Sequence, residues 1–283
     1  MTPPKIELRG AVVAVTGAAR GIGRATAERF LERGATVCLG DLDGYVVADV
    51  TGTLGPRAHP FQVDVAAEGS FAAFVASAEE SVGPIDVLVN NAGVMPTGRF
   101  LDESLATTEA VFAVNVAGPV NGMRLVLPGM IERGRGHVVN VASMLGRTEL
   151  PGLASYTASK HAVVGLTAAV RSELSGTGVT LTVVLPSVVN TELSAGIAIP
   201  LARLARVEPD DVARAIVASC DSRAREVAVP RWMALYPMFR PFIPGPIEAL
   251  ARKLIGDDKA LSAVDPAGRA AYVERIAKQV VDG

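Results

Sequence analysis

Tyr156 and Lys160 stand four residues apart in Tyr156-Thr157-Ala158-Ser159-Lys160, within a stretch whose composition reads as a helix. At that spacing a helix puts a phenol and an ammonium on one face. Free tyrosine titrates near ~10, so taking a proton from an alcohol at neutral pH calls for a fall of roughly two to three units, about 3 to 4 kcal/mol. A nearby ammonium favours the phenolate and acts in that direction. A Tyr-x-x-x-Lys pair alone is an ordinary structural pattern, so its weight depends on its surroundings. Ser143 lies thirteen residues earlier, at the end of an apolar run, and Asn115 falls in the long helical stretch before that.

Other chemistries find less support. Ser143 has no Ser/His/Asp company, which argues against a hydrolase. His59, His137 and His161 are scattered, without ligand spacing or a cysteine cluster, so no metal site is expected. His161 adjoins Lys160 but points to another part of its helix, as an ordinary polar residue does.

The elements that must position these residues follow an alternating rhythm. Apolar runs at 12–15, 36–39, 59–63, 87–90, 137–141, 181–185 and 226–229 lack strict alternation, as expected of strands buried on both faces. Helical stretches are expected at 24–33, 70–82, 107–133, 155–175 and 209–219. The last is marked by Pro209, Asp210 and Asp211 in its first turn. This is the pattern of a three-layer α/β fold: a Rossmann-type, doubly wound parallel sheet of about seven strands.

The first run leads directly into Thr16-Gly17-Ala18-Ala19-Arg20-Gly21-Ile22-Gly23 and then a helix. Strand, glycine turn and helix start form a phosphate cradle, because glycines allow close backbone approach and the helix N-terminus presents free amides. The spacing Gly-x-x-x-Gly-x-Gly differs from the commoner Gly-x-Gly-x-x-Gly fingerprint. Asp41, just past the second run, is placed to accept hydrogen bonds from both adenosine ribose hydroxyls. A 2'-phosphate there would face a carboxylate, which favours NAD over NADP, with Arg20 partly offsetting the repulsion. A solvated turn aspartate is the alternative for Asp41, and Asp43 is the better candidate for that role.

Composition bounds the rest. With 49% hydrophobic residues the chain can bury a sizeable core, and a net charge of -2 offers no case for nucleic acid. Cys38 and Cys220 are no disulfide framework, and the N-terminus around Pro3, Pro4 and Lys5 lacks an apolar signal region, so a cytoplasmic setting is expected. Charged residues or prolines interrupt every apolar run before about 18 residues, so no membrane-spanning helix is expected.

Together these motifs resemble the short-chain dehydrogenase/reductase family, in its non-extended subgroup, from about residue 8 to 230. The resemblance implies that Gly17, Arg20, Gly21, Ile22 and Gly23 form the cofactor loop. It adds Asp64 and Val65 around adenine, and Asn91, Ala92 and Gly93 from Asn90-Asn91-Ala92-Gly93. Leu185-Pro186-Ser187-Val188-Val189-Asn190-Thr191 resembles the family's Pro-Gly-x-x-x-Thr segment, whose positions here at Val189 and Thr191 contact the carboxamide. Ser187 departs from the usual glycine, and that loop is displaced if the position needs a glycine-only angle. Asn115, Ser143, Tyr156 and Lys160 match the family's catalytic set. In the implied mechanism Tyr156, its phenolate favoured by the Lys160 ammonium together with the positive ring of the oxidised nicotinamide, takes the hydroxyl proton while hydride moves to the nicotinamide. Ser143 holds the substrate oxygen, Lys160 bonds the nicotinamide ribose, and Asn115 positions a water linking Lys160 to solvent. A homodimer or homotetramer is expected with it.

Met95, Met144, Leu145, Leu150, Leu193 and residues 195–201 are candidates to line the substrate pocket, whose apolar character suggests a lipophilic secondary alcohol or ketone. Residues 192–207 are expected to form a lid. Domain organisation is read as a catalytic domain over 1–230 and an extension over 231–283. The extension has a Pro- and aromatic-rich segment, then an amphipathic helix beginning near Asp265 with Tyr272 on its apolar stripe. Subunit interface, wall of the substrate opening and shallow membrane contact compete as its role. Two further readings stay open: a catalytically silent dinucleotide-binding scaffold, and a peripheral membrane-associated reductase.

Overall fold

The structure is a computed structural model describing residues 5–194, 206–239, 242, 243, 245, 269, 272 and 274. Its strands are β1 (Val12–Thr16), β2 (Thr36–Asp41), β3 (Ala58–Gln62), β4 (Val87–Asn90), β5 (Gly136–Val141), β6 (Val179–Pro186) and β7 (Glu226–Val229). They form one sheet in the order β3-β2-β1-β4-β5-β6-β7. Every pairing is parallel. The helices are α1 (Gly21–Glu32), α2 (Gly44–Leu54), α3 (Glu68–Val82), α4 (Leu105–Phe112), α5 (Gly118–Glu132), α6 (Ala154–Glu173) and α7 (Pro209–Ser222).

The unbroken apolar runs are explained by the two layers. In β1, Val13 and Val15 join Phe30 of α1 and Ile216 of α7 on one face. Val12 and Ala14 join Phe71 and Phe74 of α3 and Met123 and Met130 of α5 on the other. Successive side chains of a strand point to opposite faces, so a sheet covered twice needs apolar residues at both parities. The chain runs from β1 outward to β3, then returns to place β4 on the other side of β1. That reversal opens a crevice beyond the C-terminal ends of β1 and β4.

Two helices depart from expectation. The sequence reading passed over α2, whose Gly44, Thr51, Gly52 and Thr53 are weak helix formers. It is held instead by Asp43, whose carboxylate accepts from the Val46 amide at 3.1 Å, and by burial of Val47 and Val50. The single helix expected over 107–133 is present over Leu105–Glu132, but its backbone takes a π turn over Ala113–Ala117, between α4 and α5. By length and composition Leu105–Glu132 suffices to cross a membrane, which a count of uninterrupted apolar runs did not register. In this fold its Met123, Val126 and Met130 are buried against the sheet layer, and Asn115 lies within it.

Cys38 and Cys220 are buried free thiols, and burial pushes both up to about 12, leaving them unreactive. After β7 the strand–helix rhythm ends in a 3-10 turn over Arg231–Ala234 and α8 (Leu235–Phe239). The helix expected near Asp265 lies outside the described residues except for Arg269, Tyr272 and Glu274, each helical. Of the expected lid, residues 195–205 are likewise outside them.

His137 is fully enclosed in β5, with Nδ1 2.8 Å from Thr180 Oγ1 and Nε2 3.0 Å from Ser219 Oγ. Burial, reinforced by the Arg223 charge, pulls it down to about 3, so the folded chain holds it neutral. The unfolded chain protonates it below ~6.5, so its stabilisation is complete above that pH and declines by about 1.4 kcal/mol per unit on acidification. Between pH 7.5 and 5.0 the unfolding free energy should lose about 2 kcal/mol through this group. Urea titrations of His137→Asn should show that part of the slope removed; an unchanged slope would exclude His137 as its source.

Candidate active site

Gly17 and Gly21 take positive φ angles of 64° and 52°, and a Cβ on Gly23 would lie 2.1 Å from the Gly17 carbonyl oxygen. The turn between β1 and α1 is therefore closed to side chains at these points. Thr16 braces it from behind: its Oγ1 accepts from the Asn91 and Ala92 amides at 3.1 and 3.2 Å. Asn91 Nδ2 in turn donates to the Thr16 and Gly17 carbonyls at 2.9 and 3.1 Å. Asn91, Ala92 and Gly93 after β4 are thus tied to the glycine loop across the crevice. Arg20 at the N-cap has no side-chain acceptor to offer the first amides of α1, so this helix N-terminus can take an anion.

Asp41 ends β2 with Oδ2 accepting from the Ala19 amide at 2.9 Å and Oδ1 from the Asp43 amide at 3.1 Å. Its carboxylate is thereby set beside the glycine loop. The role of turn aspartate falls to Asp43, which caps α2 and takes the Arg20 guanidinium at 3.3 Å. Arg20 also comes within 4.0 Å of Glu192. After β3, Asp64 accepts from the Ala66 amide at 2.9 Å, and Val65 is buried with its carbonyl taking Asn121 Nδ2 at 3.1 Å. Thr191 sits against the loop, its Cγ2 only 3.1 Å from where a Cβ of Gly21 would stand. Val189 is buried and pairs with Val207 in an isolated parallel bridge. Among the described residues Arg223 is the one non-glycine with positive φ, so Ser187 holds an ordinary backbone angle. The displacement foreseen from a missing glycine has no cause here, and the Ser187 amide donates to Val229 at 2.8 Å.

Beyond the cofactor loop the structure brings Asn115, Ser143, Tyr156 and Lys160 together. Ser143 caps the turn after β5, accepting from the Leu145 amide at 3.1 Å, and stands near enough to the Tyr156 phenol to pull it down. Lys160 Nζ donates to the Val141 carbonyl at 3.0 Å and lies 5.5 Å from the centre of the Tyr156 ring. The same ammonium and Asn115 Oδ1 would lie 3.5 and 3.2 Å from a Cβ on Gly93, which keeps that position a glycine. Asn115, held in the π turn, accepts from the Val94 amide and donates to the Val94 carbonyl, both at 2.9 Å. Its second amide hydrogen goes to Ser159 Oγ at 3.0 Å, and Ser159 donates to the Tyr156 carbonyl at 2.7 Å. With both donors used, Asn115 has one lone pair left for a water. Sequence reasoning gave Ser159 and Thr16 no task of their own, since a single hydroxyl in a motif carries no sign of what it braces.

Burial dominates the electrostatics of this pair. It pushes the Tyr156 phenol up, Ser143 pulls it down, and Tyr272 raises it, with the balance well above the ordinary value. Lys160 is itself pulled by burial down to about 8. Burial therefore holds Tyr156 as a phenol, a proton donor.

The substrate side is apolar. Met95, Leu153 and Tyr156 form one buried cluster, with Leu145, Leu150 and Leu193 packed against it. Met144, expected in the pocket, turns into a separate cluster with Val163 and Leu185. Tyr272, expected on the apolar stripe of the C-terminal helix, and Arg269, to which no motif pointed, are buried against Met95. Among the described residues no group of three His, Cys, Asp or Glu side chains is placed to hold a metal ion.

A parallel sheet reversing at β1 and β4, with a glycine turn at that point and Ser143, Tyr156 and Lys160 gathered beside it, defines a Rossmann-type α/β fold with a candidate site at the reversal. The sequence model of the family described as short chain dehydrogenase matches residues 11–199, and the chain belongs to that family. Ketoacyl reductase HetN of Nostoc is 36% identical over 78% of this chain and 79% of its own. Probable oxidoreductase EphD of Mycobacterium tuberculosis is 39% identical over 65% of this chain, a stretch that is 32% of that protein. The chain thus spans about a third of that relative. A short chain dehydrogenase/reductase of Burkholderia phymatum, solved in complex with NAD, superposes with a TM-score of 0.76 at 29% identity, covering 83% of this chain and 94% of its own.

Proposed function

We propose that this oxidoreductase interconverts a lipophilic secondary alcohol and a ketone with NAD, Tyr156 serving as general acid/base. The observation that carries the reading is the buried Tyr156 phenol beside Ser143, with Lys160 Nζ 5.5 Å from its ring. In reduction Tyr156 gives its proton to the nascent alkoxide while Ser143 donates a hydrogen bond to the same oxygen. In oxidation the phenolate takes the alcohol proton. The nicotinamide, when bound, supplies or receives the hydride. Lys160 would hold its ribose and place positive charge by Tyr156, and the Asn115 carboxamide would fix the Val94 backbone and Ser159 behind them. Cofactor contacts are assigned to Gly17, Arg20, Gly21, Ile22 and Gly23 at the pyrophosphate, and to Asp64, Val65, Asn91, Ala92 and Gly93 beside it. Val189 and Thr191 are assigned to the carboxamide. HetN, a ketoacyl reductase by name, supports ketone chemistry. The apolar cluster at Met95, Leu145, Leu150, Leu153 and Leu193 supports a lipophilic substrate.

For the cofactor we favour NAD because Asp41 stands where the adenosine ribose would bind, and the Burkholderia neighbour was solved with NAD. Arg20, held by Asp43 and near Glu192, is not turned over to a 2'-phosphate. Calorimetry should show NADH bound roughly tenfold or more tightly than NADPH, with Asp41→Ala losing most of that preference. Equal affinities, unaltered by the substitution, would remove Asp41 from the ribose site.

We assign residues 1–230 to the catalytic domain, with 192–207 as its lid, and 231–283 to an extension. Phe100, Leu101 and Leu105, at and before the start of α4, are exposed at 67%, 92% and 73% and are assigned to contact with a second copy of the chain.

A further inference from the structure

Arg269 is 2% exposed, and a buried guanidinium is tolerated only where it is hydrogen-bonded. Its Nη2 donates to the Met95 carbonyl at 2.7 Å and its Nη1 to the Leu193 carbonyl at 3.1 Å. The guanidinium carbon stands 4.8 Å from the centre of the Tyr272 ring, a cation–π stack. Tyr272 Oη accepts the Met95 amide at 2.6 Å, so this pair engages both backbone polar groups of Met95. The Tyr272 ring packs with Val94 and Val111, with Leu193 against them.

Met95 and Leu193 come from unconnected parts of the chain. Met95 lies two residues past Gly93 and packs with Tyr156; Leu193 lies two residues past Thr191. Both border the same apolar cluster around the phenol. An apolar side chain would fill the space, but the planar guanidinium fork can bond two carbonyls from separate segments at once. Tyr272 also stands close enough to Tyr156 to push its phenol up.

Resting on the oxidoreductase reading, we propose that Arg269 and Tyr272 are positioning residues for substrate specificity: the C-terminal segment clamps Met95 to Leu193 and so sets the width of the pocket beside Tyr156. The clamp lies outside the glycine loop and the Ser143-Tyr156-Lys160 cluster, so it governs which ketone fits without supplying the proton or holding the nucleotide.

The test uses the full chain with Tyr272→Phe and Arg269→Lys, two mild replacements, each compared with wild type while saturated with NADH. Tyr272→Phe removes the acceptor for the Met95 amide, and Arg269→Lys keeps the charge but cannot span both carbonyls. In each, hydrogen exchange over residues 91–97 should quicken. The ratio of kcat/KM between acetophenone and butanone should change by about tenfold, through KM, while kcat and NADH affinity stay within about twofold. Unchanged exchange over 91–97 would overturn the clamp, as would faster exchange with unchanged substrate ratios. A parallel fall of kcat, of 1/KM and of NADH affinity would reduce the pair to a structural role and overturn it too. If wild type reduces no ketone, the substrate reading fails on its own, and exchange still decides whether the clamp is seated.

Discussion

Tyr156→Phe is expected to lower ketone reduction by roughly 10²- to 10⁴-fold while NADH affinity changes by less than about threefold. The substitution removes one oxygen atom from a side chain that is 7% exposed, leaving its ring in the cluster with Met95 and Leu153. What disappears is the proton donor, and neither Ser143 nor Lys160 replaces it. Ser143 is a far weaker acid, and Lys160 is committed to the Val141 carbonyl at 3.0 Å. The direction of the pH dependence follows from burial holding Tyr156 as a phenol. Reduction needs the protonated form and should stay level between pH 6 and 8. Oxidation needs the phenolate and should rise by up to about tenfold per pH unit over the same range. Steady-state rates in both directions, with NADH calorimetry on the variant, check this. An active Tyr156→Phe enzyme, or oxidation that weakens with rising pH, would dismiss Tyr156 as the acid/base.

Gly23→Ala is expected to abolish measurable NADH binding, a loss of roughly 100-fold or more, because the added methyl falls on backbone and not on a flexible side chain. Its Cβ would stand 2.1 Å from the Gly17 oxygen and 2.7 Å from Asn91 Nδ2. Relief requires α1 to withdraw from the turn. That also breaks the bonds from Asn91 to the Thr16 and Gly17 carbonyls, and the amides offered to the pyrophosphate move with it. Overpacking at such a site costs about 1 to 3 kcal/mol. Thermal denaturation therefore accompanies the calorimetry, to separate a folded variant without affinity from an unfolded one. Gly165→Ala, where nothing lies within 4 Å of the new methyl, serves as the control and should bind NADH normally. Normal NADH binding by Gly23→Ala would mean that the turn is not the pyrophosphate cradle.

Patterns confined to one strand–turn–helix unit were legible in the amino-acid order. The strand runs are visible because a sheet buried on both faces demands apolar residues at consecutive positions, as Val12 to Val15 show. The glycine turn is visible because Gly17, Gly21 and Gly23 sit where backbone angle or close approach admits no side chain. The one-face pairing of Tyr156 with Lys160 follows from helical pitch alone. Even locally, Thr51, Gly52 and Thr53 concealed α2, since its stability comes from a cap at Asp43 and from burial of Val47 and Val50.

The tertiary structure decided what depends on residues distant in the chain. The π turn that carries Asn115 to the Val94 backbone and to Ser159 of α6 is marked by no residue preference. The upward push of burial on the Tyr156 phenol belongs here too, because desolvation is a property of the whole enclosure, whereas a nearby lysine can be read from spacing. The clamp on Met95 joins positions 177 and 174 residues apart. Periodicity reports which residues share a helix face but not the surface that face meets, so Tyr272 was visible as a buried residue while its partner became known only from the fold.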